Sequence, residues 1–260
     1  MSAVAFRITV LGSGTSSGVP TLGCDCAVCR SEDPKDQRLR PSIALRLGER
    51  NVLIDTTPDF RTQALRARIR SVDAVLYTHS HADHILGLDD VRPFNYKQGG
   101  AIPIYGAEDT LEDIRRVFRY AFDGGEKQSS VPHIETRVFT EAPFEVFGLE
   151  VKPVRIDHGR SRVYGFRFGR AAYLTDHSAI PNESLKLLED LDVLFLDALR
   201  HRPHPTHSTV AQSLETVAKL KPRRTYFTHI SHDLGHAATE QALPPHVRLA
   251  YDGLEIDVPA

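Results

Sequence analysis

Short β-branched apolar runs recur along the chain, separated by polar stretches punctuated with Gly and Pro. RITVL (7–11), SIALRL (42–47), NVLI (51–54), AVLY (74–77), LEVKPVRI (149–156), YGFRF (164–168), AAYL (171–174), VLFLD (193–197) and RTYFT (224–228) read as strands. Helical spacing shows in DFRTQALRARI (59–69), DTLEDIRRVFRYAF (109–122), ESLKLLE (183–189) and STVAQSLETVAKL (208–220). In the second helix Asp109 and Glu112 make a cap and its partner. In the last, Ser208 or Thr209 caps a face made by Val210, Leu214, Val217 and Leu220. Neighbouring strand pairs meet at turn residues, as in RLGERNVLI and FRFGRAAYL, and helices come late in each half. The pattern predicts an α/β sandwich, with sheets packed on each other and covered by helices. No repeat or low-complexity linker interrupts it, so residues 1–260 read as one continuous domain.

Composition changes this picture little. At 41% hydrophobic and 25% charged residues, with a net charge of −2, the chain fits a globular protein and carries no general signal for nucleic acid. No apolar run approaches the roughly 20 residues of a membrane span. The start, MSAVAFRITVLGSG, lacks a secretory pattern, and the three thiols form an odd set, which points to a reducing cytoplasm.

Histidine and cysteine change it more. The chain has 13 histidines, and THSHADH (78–84) follows the strand AVLY. His79 and His81 point the same way in an extended segment. Asp83 and His84 follow where the chain turns into a helix beginning near Ile85. Imidazoles and a carboxylate in this density are ligands for a divalent metal such as zinc or manganese. All three cysteines lie in GCDCAVC (23–29). Cys24, Cys26 and Cys29 cannot pair off as disulfides, and a tetrahedral metal site built on them needs a fourth ligand.

The H-x-H-x-D-H pattern at His79, His81, Asp83 and His84 resembles the signature of the metallo-β-lactamase superfamily. So do Asp55 in VLIDTTPDF, His158 in VRIDHGR, Asp176 in AAYLTDHS and His229 in RTYFTHISH, each at a strand end and in the superfamily's order. The resemblance implies a four-layer αββα sandwich with two divalent ions, Mn²⁺ or Zn²⁺. His79, His81 and His158 would hold one ion, Asp83, His84 and His229 the second, and Asp176 would bridge them. Such a pair shares a hydroxide, held here near Asp83, and stabilises both oxygens of an in-line displacement. Asp55 reads either as orienting a ligand histidine or as a helix cap ahead of Pro58.

Within the superfamily, LGSGTSSGVPTLGCDCAVC (11–29), ALRHRPHPTHSTVAQSLE (198–215) and HISHD (229–233) resemble the PhnP-type phosphodiesterases of phosphonate catabolism, which act on phosphoribosyl cyclic phosphate. The resemblance implies a structural Zn²⁺ held by Cys24, Cys26, Cys29 and His232. It also singles out His207, ahead of a helix, as a catalytic group beside Asp83. An imidazolium there donates a proton to the leaving oxygen. GSGTSSG lacks the Lys-Ser/Thr of a phosphate loop and reads as letting the backbone pass close to the metals or as a tight turn. His177 receives no role, and His133, His236 and His246 read as surface or satisfied core residues.

The expected function is hydrolysis of a small phosphodiester, its partner a small molecule rather than nucleic acid or membrane, with a homodimer left open. Three other enzymes of the fold compete: a tRNA 3′-processing endonuclease, a glyoxalase-II-like thioesterase and a PqqB-like protein of cofactor biosynthesis. A non-enzymatic metal-binding or sensing protein is the alternative of another class.

Overall fold

The computed structural model describes residues 5–123 and 130–259. The first half runs β1 (Phe6–Gly12), β2 (Ser42–Leu47), β3 (Arg50–Ile54), α1 (Phe60–Arg66), β4 (Ala74–Leu76), α2 (Ala82–Ile85) and α3 (Arg92–Gln98). It continues through β5 (Ile102–Gly106), α4 (Glu108–Val117), α5 (Arg119–Phe122) and β6 (Ile134–Val138). The second half runs β7 (Phe144–Val146), β8 (Leu149–His158), β9 (Ser161–Phe168), β10 (Ala171–Leu174), α6 (Asn182–Lys186) and β11 (Val193–Asp197). It closes with α7 (Val210–Leu220), β12 (Arg224–Thr228), α8 (His236–Ala242), β13 (Val247–Leu249) and β14 (Glu255–Val258).

The strands form two seven-stranded mixed sheets, ordered β14-β1-β2-β3-β4-β5-β6 and β13-β12-β11-β10-β9-β8-β7. Burial explains why they stack. Ile8, Ile43 and Val52 of the first sheet share one apolar cluster with Phe166, Tyr173 and Phe195 of the second. The outer face of the first sheet packs Leu53 and Ile104 against Phe60, Leu111 and Ile114 of the helices. That of the second packs Leu194 and Leu196 against Leu188, Val210 and Val217. The molecule is therefore the αββα sandwich that the sequence implied. No helix among the described residues is long and apolar enough to cross a membrane.

Topology sets the site. β3 and β4 are parallel, as are β10, β11 and β12, so their carboxyl ends lie side by side. β8 is antiparallel to β9, which is antiparallel to β10, so β8 also ends at that edge. Residues placed just beyond these strands converge, as they do in open α/β sheets generally.

Several local expectations are corrected. The helix expected over 109–122 breaks at Phe118 (φ −102°, ψ 35°), whose ring turns into the core while Val117 stays exposed. VFRYAF carries too many apolar residues for one helical face. Asp109 does not cap it: the cap position is Ala107, without a side-chain bond, and Asp109 accepts from its neighbour Thr110 N–H at 2.7 Å. Thr209, not Ser208, caps α7, in a reciprocal capping box with Gln212. The helix after the histidine motif begins at Ala82 rather than near Ile85, which places Asp83 and His84 in its first turn.

Candidate metal centre

The candidate ligands follow strand ends, with Asp83 and His84 in the short helix α2 beyond β4. Three of the residues at the strand ends, Asp55, Asp176 and His229, have positive φ (66°, 55° and 58°). A left-handed residue turns the chain sharply out of the strand, at a cost on the order of 1–3 kcal/mol. Here it turns Asp176 and His229 towards one space and Asp55 behind the His84 ring. His81 stands at the N-terminus of α2, leaving its ring exposed, whereas Asp83 and His84 are buried.

Two donor groups result, each with its ligand atoms within 4.8 Å of one another: His79, His81 and His158, and Asp83, His84, Asp176 and His229. Asp176 lies between several rings. Its Oδ2 is 3.2 Å from His84 Nε2, its Oδ1 is 3.2 Å from His229 Nε2, and it also groups with His158 and His207. His79 and His84 have ring centroids 4.2 Å apart, so the two groups adjoin.

The second ring nitrogens show what these donor sets suit. His84 Nδ1 lies 2.8 Å from buried Asp55, which also accepts from the Thr78 N–H and hydroxyl. Asp55 thus orients a histidine, and the helix-cap alternative is set aside; Asp59 takes the position before α1. His158 Nδ1 donates to the Thr206 carbonyl at 2.8 Å, which fixes its tautomer and leaves a lone pair on Nε2. His79 Nδ1 meets the Thr78 hydroxyl at 3.0 Å. Nε2 of His79 and His84, and both ring nitrogens of His229, are buried without a hydrogen-bond partner. Buried imidazoles anchored through one nitrogen and aimed together through the other fit divalent ions with mixed nitrogen and oxygen ligands.

Charge agrees. Burial alone would neutralise His84, yet Asp83, Asp176 and Asp55 hold it well above the ordinary histidine range. Burial likewise disfavours charge on His229, but Asp176 and Asp83 raise it to about 9. Burial opposes ionisation of Asp176 too, and His229 and His84 nevertheless keep it far below the usual carboxylate range. His79, buried beside His84, is driven well below its ordinary value. The carboxylates call for cations in a largely buried space.

A model of the beta-lactamase superfamily domain matches residues 50–230. The chain belongs to the beta-lactamase superfamily. It is PhnP-like within it: the crystal structure of a new diphosphatase from the PhnP family is 52% identical, with a TM-score of 0.93 and 98% of both chains covered. An octanoyltransferase of Porphyromonas gingivalis is 41% identical over 253 residues, which are 96% of this chain and 51% of that protein. The chain spans about half the length of the curated relatives it matches. Zn²⁺-bound PqqB from Methylobacterium extorquens shares the fold at 21% identity, with a TM-score of 0.78 over 97% of this chain and 100% of that one.

In this PhnP-like sandwich His207 comes to the same centre. Its Nε2 is 4.0 Å from Asp176 Oδ1, and its ring stacks 4.5 Å from that of His229. Its Nδ1 lies 2.7 Å from Asp197, a buried carboxylate that the sequence reading missed. The signal was present: VLFLD ends a strand in Asp, as NVLID does. His177 is buried rather than lining the centre, its backbone N–H donating to Asp197 and its Nε2 meeting the Ser208 hydroxyl at 3.2 Å. His133 and His246 are exposed, and His236 is buried, 3.6 Å from Glu240.

Cys24, Cys26, Cys29 and His232 also converge. The three Sγ atoms lie 3.2, 3.5 and 3.5 Å from His232 Nδ1, a closed set of soft donors that suits tetrahedral zinc. The Cys29 N–H holds the Cys26 thiol down to about 6, while burial pushes the Cys29 thiol up to about 11. The neighbouring Gly/Ser loop contributes no candidate ligand among the described residues. Its Gly14 pairs with Ile230, and a Cβ there would lie 2.9 Å from that of Arg38. The backbone here passes close to Arg38, and the Gly18 N–H donates to the Thr15 carbonyl at 2.8 Å, so of the two readings of this loop the tight turn is the one seen.

Arg38 is the second residue that sequence reasoning missed. It is fully buried, donating to the Ser231 and Leu234 carbonyls at 3.0 and 2.7 Å and to Asp36 at 2.8 Å. Asp36 in turn accepts from the His236 N–H at 2.8 Å. The pair ties down the segment that carries both His229 and His232.

Proposed function

We propose that this chain is a dinuclear metal-dependent hydrolase of small phosphodiesters or phosphoanhydrides. The observation that carries the reading is the convergence of seven donor side chains, three of whose imidazoles, those of His79, His84 and His158, are held through Nδ1. The diphosphatase activity named for the 52% identical relative supports phosphoryl chemistry. His79, His81 and His158 would hold one ion and Asp83, His84 and His229 the other, with Asp176 between them. Bound there, divalent ions supply Lewis acidity that acidifies water and offsets charge on phosphoryl oxygens.

The chain's own residues do the rest. Asp83 orients the attacking water and accepts its hydrogen bond. His207, held in one tautomer by Asp197, presents Nε2 to the site and passes a proton to the leaving oxygen. His81, exposed at the rim, leaves the centre open for a substrate to enter. Chelation of the metals is expected to abolish hydrolysis, and Mn²⁺ or Zn²⁺ to restore it. Activity that persists in fully metal-stripped protein would overturn the reading.

Asp55→Asn removes the carboxylate that holds His84 Nδ1. Its expected effect is a loss of about 10- to 100-fold in affinity for one active-site ion, measured by competition with a chelator. An unchanged affinity would leave Asp55 with a structural role alone.

For the cysteine set we infer a structural zinc. Cys26→Ser is expected to lower zinc content by about one ion per chain and to depress Tm, because metal affinity at such a site is also folding energy. Zinc content and Tm equal to wild type would contradict it.

A further inference from the structure

The hairpin after β8 carries a cation that the candidate centre does not use. His158 ends the strand, and Gly159 (φ +63°) and Arg160 form the turn into β9. The turn is firmly seated. His158 is held by the Thr206 carbonyl, and the Gly159 N–H donates to Ser178 Oγ at 3.0 Å, which itself donates to the Asp157 carbonyl at 3.1 Å. A Cβ at Gly159 would come within 2.7 Å of Thr206, so the 205–206 segment packs directly on the turn.

Between these walls lies an open depression of about 630 Å³, lined chiefly by His81, His158, Arg160, Ser161, Ser178 and Thr206. This is the size of an ordinary small-molecule site. Two of its lining residues, His81 and His158, are candidate metal ligands, so it adjoins the centre. No carboxylate lines it. Arg160 is exposed, and among the described residues it makes no ion pair or hydrogen bond; Arg155, on the preceding strand, is by contrast paired with Glu183 at 3.1 Å. An unpaired guanidinium beside hydroxyls, one turn from the reacting centre, is arranged for a phosphate or similar oxyanion, which it grips through two parallel N–H donors.

We propose that this depression is the subsite for a second phosphoryl group, with Arg160 as its clamp, so that the substrate class is a small-molecule diphosphate. The proposal rests on the hydrolase reading above and deepens it. Water adds to the phosphorus at the centre, releasing one proton along its hydrogen bond to Asp83, and the bond from that phosphorus to the bridging oxygen breaks. The bridging oxygen leaves with its electron pair as part of the distal phosphate and takes a proton from His207, giving two monophosphates. Arg160 holds the distal phosphate while this happens and touches no atom of the reacting bond.

The test compares wild type, Arg160→Ala and Arg160→Lys, all metal-loaded. Calorimetry measures binding of methylenediphosphonate, which cannot be hydrolysed. Kinetics compare diadenosine diphosphate with bis(p-nitrophenyl) phosphate, which has no second phosphoryl group. Arg160→Ala is expected to weaken methylenediphosphonate binding by about 10- to 100-fold and to lower the ratio of the two kcat/KM values by a similar factor. Arg160→Lys, which keeps the charge but not the fork, is expected to recover part of both. Binding and ratio equal to wild type in Arg160→Ala would overturn the subsite while leaving the hydrolase reading standing. Arg160-dependent binding without hydrolysis of either substrate would uphold the anion subsite and remove the hydrolase reading instead.

Discussion

Exchange of His207 for alanine is expected to lower kcat on a phosphodiester by about 10²- to 10⁴-fold, the usual worth of a positioned proton donor, with metal content unchanged. The expectation comes from geometry. Asp197 takes the Nδ1–H at 2.7 Å, which leaves Nε2 as the working nitrogen, and that atom faces Asp176 and His229 across the centre. The metal content decides between two roles. His207 lies close enough to His158 and Asp176, and to Asp197 and His229, to serve as a ligand itself. A variant that loses turnover together with one ion would make it a ligand; a variant that keeps both ions and loses only turnover makes it the proton carrier. A phosphodiester with a better leaving group needs less protonation, so its rate should fall less.

The largest effect on stability is expected at Arg38. Arg38→Met keeps much of the side-chain volume but leaves Asp36 buried with only the His236 N–H to satisfy it, and strips donors from the Ser231 and Leu234 carbonyls. Removing one partner of a buried ion pair costs about 3–5 kcal/mol, read as a fall in the denaturation midpoint. Burial already presses the Arg38 pKa downwards and Asp36 opposes it, so the pair is mutually dependent. A loss below about 1 kcal/mol, the worth of an exposed pair, would show that the segment holding His229 and His232 is secured by other contacts.

These two residues mark the limits of what the sequence discloses. THSHADH is legible because its chemistry is local: four donors within six positions have no use in a core. His158, Asp176 and His229 are legible once a family order is recognised, since each is a polar residue ending an apolar strand. Asp197 meets the same description and escaped because VLFLD reads fully as a strand, and its partner His207 lies ten residues on. Arg38 gives no local sign at all. It sits among polar residues in DQRLRPS, and its burial depends on carbonyls 193 and 196 positions away. Arg160 is invisible for another reason, since an exposed arginine in a hairpin turn acquires meaning only when the turn is seen beside the candidate metal ligands.

The fold was legible at the level of layers because alternation and helical spacing report which faces are buried. Boundaries were less so. The short edge strand β6 alternates Ile134 and Val138 with charged residues but leaves Val138 exposed, so its apolar face is too small to announce it. The helix at 109–122 reads as continuous because no Gly or Pro interrupts it, yet Phe118 is buried where the backbone turns out of the helix.

The most direct test of the central claim is hydrolysis of bis(p-nitrophenyl) phosphate by protein whose metal content is measured in the same sample. The account predicts steady release of p-nitrophenol from protein carrying two ions in the histidine–aspartate centre beside the zinc of the cysteine set. No release from protein that carries both active-site ions would contradict it.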